Sequence, residues 1–267
     1  NAPDGAMDIV GTGGDGLKTY NISTAVCFVV AGAGGTVAKH GNRAVSSRSG
    51  ASDVLRELGV KLDISTAQTE DCIAQAGVGF LFAPNHHPAM ANVAKARAML
   101  KSRTIFNCLG PLCNPAEVEN ILVGVYSNEL RKNYAEALLK LGIKSALIVH
   151  GGDGMDEITT STLTMVSEIM NGALREYEIT PEQFGLPRAV LKDLEGGDPA
   201  HNAHALRNVL DGKSSAYRDI ILLNSGAALY VNGCATNIEK GIDLAQKSIA
   251  SGAATSALSK LVEISNA

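Results

Sequence analysis

Glycine and hydroxyl residues follow the first apolar run of the chain and are suited to binding a phosphate group. Residues 11–16 contain four glycines, and Ser23 and Thr24 open an apolar, helix-like segment. Glycines let backbone N–H groups approach an anion closely, and hydroxyl groups at a helix N-terminus lie beside the positive end of the helix dipole. The spacing matches neither a Walker A loop nor the dinucleotide-binding glycine motif. We therefore predict a phosphate site, with a tight turn and ordinary helix capping as the alternative.

Cationic residues cluster after the second apolar run. Lys39, Arg43 and Arg48 occur close together and are interleaved with Ser, Asn and Gly residues. At the carboxyl end of a strand, this mixture favours binding of a dianionic or pyrophosphate group. A solvent-exposed basic turn is the alternative, but it explains poorly why anion-binding loops follow two consecutive strands.

Two adjacent carboxylates, Asp156 and Glu157, follow the apolar run 146–150. Carboxylate oxygens are hard ligands of the type that Mg²⁺ uses together with water and substrate phosphates. The alternative is that both residues complement the N-terminus of a following helix. His150 is interpreted as a strand-end histidine, and we assign no proton transfer to it.

Other polar residues carry weaker signals. Arg97 and Arg103 lie on different faces of one predicted helix, so at most one of them points into a common site. His86 and His87 precede Pro88 and are typical of a polar turn before a helix. Metal binding by these two histidines is not expected, because no third ligand is near in sequence.

The elements that must position these residues alternate between strands and helices. We predict strands at 7–10, 36–39, 79–82, 121–125, 146–150 and 163–166, and helices at 24–33, 51–58, 70–76, 88–100, 129–141, 217–230 and 238–251. This alternation predicts an α/β fold with a largely parallel central sheet flanked by helices, and a ligand site at the carboxyl ends of its strands. Residues 85–115 are predicted to form a helical excursion, and residues 195–199 an exposed break.

Composition excludes several classes of protein. The chain has 267 residues, 45% of them hydrophobic, and a formal net charge of -4, so it is neither a small disulfide scaffold nor a general nucleic-acid binder. No apolar stretch is long enough for a membrane anchor, and we expect a cytoplasmic protein. The first residues contain neither a signal peptide nor an initiating Met, so we expect a trimmed version of a longer chain.

The cysteines are predicted to be reduced core thiols: Cys27, Cys72, Cys108, Cys113 and Cys234.

Taken in order, five motifs resemble those of anthranilate phosphoribosyltransferases. They are residues 11–15, 21–24, 39–43, 106–115 and 154–157, and the resemblance covers essentially the whole chain. It implies transfer of phosphoribose from 5-phosphoribosyl-1-pyrophosphate (PRPP) to the amine of anthranilate, with release of pyrophosphate, in tryptophan biosynthesis. It also implies Mg²⁺ as cofactor, small-molecule substrates without nucleic acid or membrane, and a homodimer in the family.

The resemblance assigns roles to residues by motif. PRPP-binding residues would be Gly11, Gly14, Asp15, Thr19, Asn21, Ile22, Ser23, Thr24, Lys39, His40, Gly41, Asn42, Arg43, Ala44, Val45, Ser46, Ser47 and Ala51. Residues along the anthranilate path would be Gly11, Asn42, Arg97 and Gly110, and the Mg²⁺ residues would be Ser23, Asp156 and Glu157. Lys39 and Arg43 would stabilise the transition state by balancing charge on the leaving pyrophosphate. No nucleophilic side chain is required.

The resemblance also divides the chain into domains. Residues 1–84 and 112–267 would form a large PRPP-binding domain, and residues 85–111 a helical segment of a small domain whose N-terminal part lies outside this sequence. Dimerisation and closure over anthranilate depend on that small domain in the family. Ala51 stands where many members have a serine, so one hydroxyl contact to PRPP would be either absent or supplied by neighbouring Ser52.

Two other functions compete with this interpretation. A pyrimidine nucleoside phosphorylase-like enzyme shares the architecture, but its site does not call for the carboxylate pair Asp156 and Glu157. A non-catalytic relative that binds nucleic acid is disfavoured by the net charge of -4.

Overall fold

The strands form one seven-stranded sheet in a computed structural model that describes residues 2–42, 49–90, 92–93, 99 and 104–267. In sheet order they are β3 (Val78–Phe82), β2 (Val37–Gly41), β1 (Met7–Gly11), β4 (Asn120–Gly124), β5 (Ser145–Gly151), β6 (Thr164–Met170) and β7 (Ala173–Ile179). The first five in this order are parallel, and β6 and β7 are antiparallel. The predicted α/β fold with a largely parallel sheet is confirmed.

Helices cover the sheet. They are α1 (Ile22–Gly32), α2 (Ala51–Glu57), α3 (Thr66–Ala76), α4 (Ala83–His86), α5 (Ile105–Leu109), α6 (Asn128–Lys140), α7 (Pro199–Leu210), α8 (Ala216–Val231), α9 (Ile238–Ala250) and α10 (Ala253–Asn266). None of the described helices combines the length and the apolar character needed to cross a membrane.

Helix α1 lies in the centre of the core and fixes the glycine-rich loop that precedes it. Its residues from Ala25 to Val30 are all buried, since it contacts β1 on one side and α8, α9 and α10 on others. A helix that is apolar on every side is stable only when it is enclosed in this way. The N-terminus of α1, with Ser23, is therefore held at the carboxyl edge of the sheet.

One strand and two of the longer helices lie outside the predicted strands and helices. β7 has mostly exposed residues and carries Arg175, Glu176 and Glu178, so it lacks the apolar run by which the other strands were found. Charged side chains on such an edge strand oppose pairing with another chain. Helices α7 and α10 were also not among the predicted segments.

Residues 195–199 are not a simple exposed break. Glu195 forms a β-bridge with Thr19, and the buried Gly196 donates its backbone N–H to the Lys18 carbonyl at 2.7 Å. The segment therefore packs against the glycine-rich loop. The predicted exposed break is confirmed only in part: Glu195 and Asp198 are exposed, whereas Gly196 is buried because glycine permits close packing here.

The core-thiol prediction holds for only part of the cysteines. Cys27 and Cys72 are buried, Cys108 is half-buried, and Cys113 and Cys234 are exposed. All five are free thiols. For Cys113 and Cys234 the prediction was wrong, because both follow turns at the surface.

The helical excursion is made of short pieces. In addition to α4 and α5 it contains 3₁₀ turns at Pro88–Met90 and Gly110–Leu112. Most of the predicted helix 88–100 lies outside the described residues, although residues 92, 93 and 99 are helical. The 3₁₀ turn at Gly110–Leu112 lies against the carboxyl end of β2, where the Gly110 carbonyl contacts His40.

Candidate active site

A polar pocket of about 270 Å³ lies at the carboxyl ends of β1 and β2, beside the N-terminus of α1. Among the residues predicted to bind PRPP or Mg²⁺, those that line it are Gly11, Gly14, Asp15, Thr19, Asn21, Ile22, Ser23, Thr24, Lys39, His40, Gly41, Asn42, Ala51, Asp156 and Glu157. Five others, Arg43, Ala44, Val45, Ser46 and Ser47, lie outside the described residues. Arg97 and Arg103 also lie outside them.

The loop with Asp156 and Glu157 crosses directly over the ends of β1 and β4. A Cβ atom at Gly124 would lie 1.6 Å from the Asp156 carbonyl oxygen, and one at Gly11 would lie 2.4 Å from Asp156 Oδ2. At Gly124 a side chain would displace the backbone of Asp156, and at Gly11 it would displace the Asp156 carboxylate, since real Cβ atoms do not approach other atoms so closely. The two glycines therefore place both carboxylates at the phosphate-binding loop.

Both carboxylates accept backbone hydrogen bonds from the other side of the pocket. Gly13 N donates to Asp156 Oδ2 at 2.6 Å, and Ser23 N donates to Glu157 Oε1 at 3.2 Å. No helix follows Glu157, because the next element along the chain is β6. The alternative in which the pair complements a following helix was therefore wrong, although Glu157 does face the N-terminus of α1.

Burial is the main cause of raised carboxyl pKa values in this cluster. It raises the pKa of Asp156 well above its usual range, and the negative charges of Asp15 and Glu157 add to the effect. Burial also raises the pKa of Glu157 to about 7, against the opposing charge of Lys39. Protonation or a divalent cation would stabilise carboxylates that are crowded together and partly removed from water.

The carboxylate pair fits Mg²⁺ as part of a wider ligand set. The described residues contain no group of three or more His, Cys, Asp or Glu side chains arranged to hold a metal by itself. Mg²⁺ is commonly held by one or two carboxylates, with water and substrate phosphates completing the octahedron. Two half-buried carboxylates beside the Ser23 hydroxyl at the edge of an anion-binding loop meet that requirement.

Lys39 is almost completely buried, with 3% of its surface exposed. Its Nζ donates to the Ile9 carbonyl at 2.5 Å and to Ser23 Oγ at 3.2 Å. It thereby fixes the Ser23 hydroxyl, and its charge stabilises the ionised form of Glu157. The Lys39 ammonium group supplies the local positive charge that the acidic chain as a whole lacks.

Asp8 was missed by the sequence analysis and supports the pocket from below. Its carboxylate accepts hydrogen bonds from His40 N at 3.1 Å and from Asn114 Nδ2 at 2.8 Å, and Asn114 Nδ2 also donates to the Ala38 carbonyl. Burial raises the pKa of Asp8 to about 6. One acidic residue inside an apolar strand is the sequence signal that could have identified it.

The C-terminal part of the chain also holds the glycine-rich loop, which no local signal predicts. Asn202 Nδ2 donates to Asn21 Oδ1 at 2.9 Å, and the Tyr217 hydroxyl donates to the Asn21 carbonyl at 3.0 Å. The rings of Tyr217 and Tyr20 stack with centroids 4.3 Å apart. Because Tyr20 and Asn21 line the polar pocket, α7 and α8 set the position of its wall.

An apolar pocket of about 470 Å³ adjoins the polar pocket. The two share Gly11, His40 and Asn42 among their lining residues. Of the residues predicted along the anthranilate path, Gly11, Asn42 and Gly110 line the apolar pocket. Residues 83–90 and 106–113 supply most of the remaining lining, so the excursion forms the wall opposite β2.

Two histidines are paired inside this apolar pocket. His40 Nδ1 lies 3.1 Å from the Gly110 carbonyl oxygen, and His40 Nε2 lies 3.1 Å from His87 Nε2. Burial, with a smaller contribution from His87, lowers the pKa of His40 to about 4. The polar-turn interpretation of His87 missed this pairing, because spacing along the chain does not reveal a partner on β2.

The structure also locates His150 and the residues at positions 51 and 52, for which specific predictions were made from the sequence. His150 Nδ1 donates to the Val125 carbonyl at 2.8 Å, as a strand-end histidine does, and His150 lines neither pocket. Ala51 lines the polar pocket, but Ser52 is fully buried outside its lining. Ser52 therefore does not supply a hydroxyl group to this pocket.

Comparison with known protein families agrees with this geometry. The family described as "Glycosyl transferase family, a/b domain" matches residues 3–255. Proteins named anthranilate phosphoribosyltransferase are similar over nearly the whole chain. The one from Rhodopseudomonas palustris (strain BisA53) is 54% identical over 265 residues, which are 99% of this chain and 78% of that protein. The one from Parvibaculum lavamentivorans is 56% identical with the same coverage.

Solved structures with the same name are similar in fold. The Thermus thermophilus enzyme superposes with a TM-score of 0.93 at 43% identity, covering 99% of this chain and 79% of that chain. The Saccharomyces cerevisiae enzyme, in complex with PRPP and Mg, superposes with a TM-score of 0.92 at 33% identity, covering 100% of this chain and 75% of that chain.

Proposed function

The chain belongs to the anthranilate phosphoribosyltransferase family, and from this membership we propose how its two pockets perform the reaction of that family. The reaction transfers the phosphoribosyl group of PRPP to the amine of anthranilate and releases pyrophosphate. One observation carries the proposal: a polar pocket with phosphate-binding features and an apolar pocket meet at Gly11, His40 and Asn42. Donor and acceptor can therefore meet only along that shared border.

The polar pocket is the proposed PRPP site. The glycines of the 11–16 loop and the N-terminus of α1 present backbone N–H groups to the phosphates. Asn21 and Thr24 line the same wall, and Lys39 holds the Ser23 hydroxyl in place. Arg43 and the neighbouring residues 44–47 are assigned to this site by the family resemblance alone.

Mg²⁺ is the cofactor of the reaction, and we assign it to Ser23, Asp156 and Glu157. When bound there with PRPP, Mg²⁺ neutralises negative charge on the pyrophosphate as it leaves. Glu157 and Ser23 are already joined through the backbone hydrogen bond at 3.2 Å, so the site is organised before the metal arrives. Lys39 and Arg43 are proposed to balance the same developing charge.

The apolar pocket is the proposed anthranilate site. Its lining suits a flat aromatic ring, and alignment of the amine with ribose C1 supplies much of the acceleration, because the aryl amine is a weak nucleophile. Arg97 is assigned to the anthranilate carboxylate by resemblance. Replacing Arg97 with Ala is expected to raise the KM for anthranilate more than that for PRPP.

Several broader features remain proposals. We propose the division into residues 1–84 with 112–267 and residues 85–111, because the latter segment supplies much of the apolar wall. A cytoplasmic location suits a biosynthetic enzyme of this family. Light scattering of the purified protein would test whether it dimerises as expected for the family.

Fluorescence of anthranilate provides the test of function. The chain, Mg²⁺ and PRPP are mixed with anthranilate, and we expect the fluorescence to decay only when all components are present. If no decay occurs, calorimetric titration with PRPP separates two cases. Binding without turnover would indicate an intact donor site with an incomplete acceptor site, whereas absence of binding would contradict the proposed function.

A further inference from the structure

The hydrogen bonds of the paired histidines fix where their protons lie. A carbonyl oxygen only accepts, so the contact with Gly110 requires a hydrogen on His40 Nδ1. His40 is neutral at pH 7, because burial lowers its pKa to about 4, and its Nε2 is therefore unprotonated. The 3.1 Å contact between the two Nε2 atoms then requires His87 to donate. A neutral His87 with its hydrogen on Nε2 has an unprotonated Nδ1.

This arrangement leaves one base of the pair available in the apolar pocket. The titratable residues among the described lining are His40, His87 and Cys113. Both nitrogens of His40 are engaged, one by Gly110 and one by His87. A thiol is a weak hydrogen-bond acceptor, so His87 Nδ1 is the stronger candidate to receive a proton.

The reaction must dispose of a proton in this pocket. As the amine nitrogen of anthranilate bonds to ribose C1, the bond between C1 and the pyrophosphate oxygen breaks, and pyrophosphate leaves with the electron pair. The nitrogen would then carry a positive charge, and a positioned base can take up its proton as that charge develops. Loss of one N–H proton to a base removes that charge.

We propose that His87 Nδ1 is the base that accepts this proton, with His40 as the positioning residue that sets the tautomer of His87. The proposal rests on the proposed function and adds a catalytic residue to it. The Gly110 carbonyl orients His40, His40 orients His87, and the proton passes from the amine nitrogen to His87 Nδ1 and then to solvent. A base placed in this way typically contributes a factor of about 10² to 10⁴ to the rate.

The variant His87→Gln separates base catalysis from packing. The glutamine amide retains an N–H group to donate to His40 Nε2 but has no basic nitrogen. We expect the single-turnover rate at saturating anthranilate to fall by about 100-fold or more, with PRPP binding by calorimetry unchanged. The matched control is His86→Gln, since His86 precedes it on α4 and does not line either pocket. Its rate is expected to stay within about twofold of wild type.

Two outcomes would overturn the proposal while leaving the proposed function intact. One is a wild-type single-turnover rate in His87→Gln. The other is a rise in KM for anthranilate with no change in that rate, which would make His87 a binding residue. An inactive wild-type protein would instead count against the proposed function, on which this proposal depends.

The tautomers of His40 and His87 can be measured by NMR in the protein without substrates. Long-range ¹H–¹⁵N spectra of the free protein distinguish protonated from unprotonated imidazole nitrogens. We expect the hydrogen on Nδ1 in His40 and on Nε2 in His87, with His87→Gln used to assign the signals. A hydrogen on Nδ1 of His87 would leave no base on that atom and would contradict the proposal.

Discussion

The polar and apolar pockets share a border but are built in different ways. The polar pocket is made where strands end and α1 begins, and its half-buried carboxylates and buried Lys39 are hydrogen-bonded to the surrounding backbone. The apolar pocket is bounded on one side by the ends of β1 and β2 and on the other by short helical pieces and turns, and hydrogen bonds of His40 with Gly110 and His87 join the two sides. The proposed donor site is thus preorganised by the sheet and α1, whereas the proposed acceptor site also depends on the segment 85–111.

This difference matches the chemistry on each side. Charge develops on the leaving pyrophosphate, and fixed charges and dipoles stabilise it best when they need not reorganise. Anthranilate requires mainly a shaped apolar surface and a correctly placed amine. Changes to the polar pocket should therefore cost more than changes of similar size to the apolar one.

The largest effect is expected from Asp156→Asn combined with Glu157→Gln. Mg²⁺ contributes several kcal/mol to charge stabilisation, so loss of its carboxylates should lower turnover by about 100-fold or more. Stability should hold, because both amides keep an oxygen to accept from Gly13 N and Ser23 N, and two crowded charges are removed. Turnover across a Mg²⁺ titration and thermal melting measure the two effects.

A matched control separates charge from position. Glu239→Gln with Glu263→Gln also removes two negative charges, but from exposed positions on α9 and α10. This control should behave as wild type. Equal turnover of both double variants at every Mg²⁺ concentration would refute the assignment of Mg²⁺ to the carboxylate pair.

The next largest difference is expected between two glycine-to-alanine variants, one beside each pocket. In Gly124→Ala the new Cβ would meet the Asp156 carbonyl oxygen at 1.6 Å and displace the carboxylate loop, whereas a Cβ at Gly110 meets nothing within 4 Å. Overpacking of this kind costs about 1–3 kcal/mol, so affinity for PRPP with Mg²⁺ should fall by about 10- to 100-fold. Gly110→Ala should keep wild-type PRPP affinity by calorimetry. A similar loss in both variants would contradict the difference between the pockets.

The polar pocket was also the more predictable of the two. Its glycines, Ser23 and the carboxylate pair each follow a short apolar run rich in β-branched residues, and the ends of parallel strands meet at one edge of a sheet. Local sequence therefore carried both the residue types and their common location. Their detailed roles remain predictions, which the variants above test.

The remaining parts depend on contacts between distant segments. Asn202 and Tyr217 reach Asn21 across about two thirds of the chain, and His87 reaches His40 from a separate segment. Such pairs arise from packing of whole elements, which no spacing rule encodes. Asp8 was overlooked for the opposite reason, because an acidic residue within an apolar strand breaks the pattern that defines the strand.

A smaller, selective effect is expected from Asn202→Ala. The substitution removes one of the two donors to Asn21 Oδ1, since Ser49 Oγ also donates there, and it removes the acceptor of Gly197 N; leaving a partly buried group unsatisfied costs about 1–3 kcal/mol. Because Asn21 lines only the polar pocket, the KM for PRPP should rise by about tenfold with the KM for anthranilate unchanged. The exposed His204→Ala on the same helix is the control. Equal rises in both KM values would mean that α7 supports the two pockets alike.

The smallest effect should come from Asp8, which lies beneath both pockets. Its pKa in the folded protein is about 6, above its ordinary value, so the folded state binds the proton more tightly than the unfolded state does. The stabilisation from that proton is fully present below about pH 4 and is lost as the pH rises through 6. Between pH 5 and pH 7 the free energy of unfolding should therefore fall by about 1 kcal/mol from this group.

Urea unfolding of Asp8→Asn at pH 5 and pH 7 isolates that contribution. The variant cannot titrate at position 8, so its loss of stability over this interval should be smaller than that of the wild type by about 1 kcal/mol. His40 N on the apolar side and Lys39 on the polar side both lie beside this carboxylate, so the two KM values should rise by similar factors. If only the KM for anthranilate rises, Asp8 supports the apolar pocket alone, and the border between the pockets is less rigid than the fold suggests.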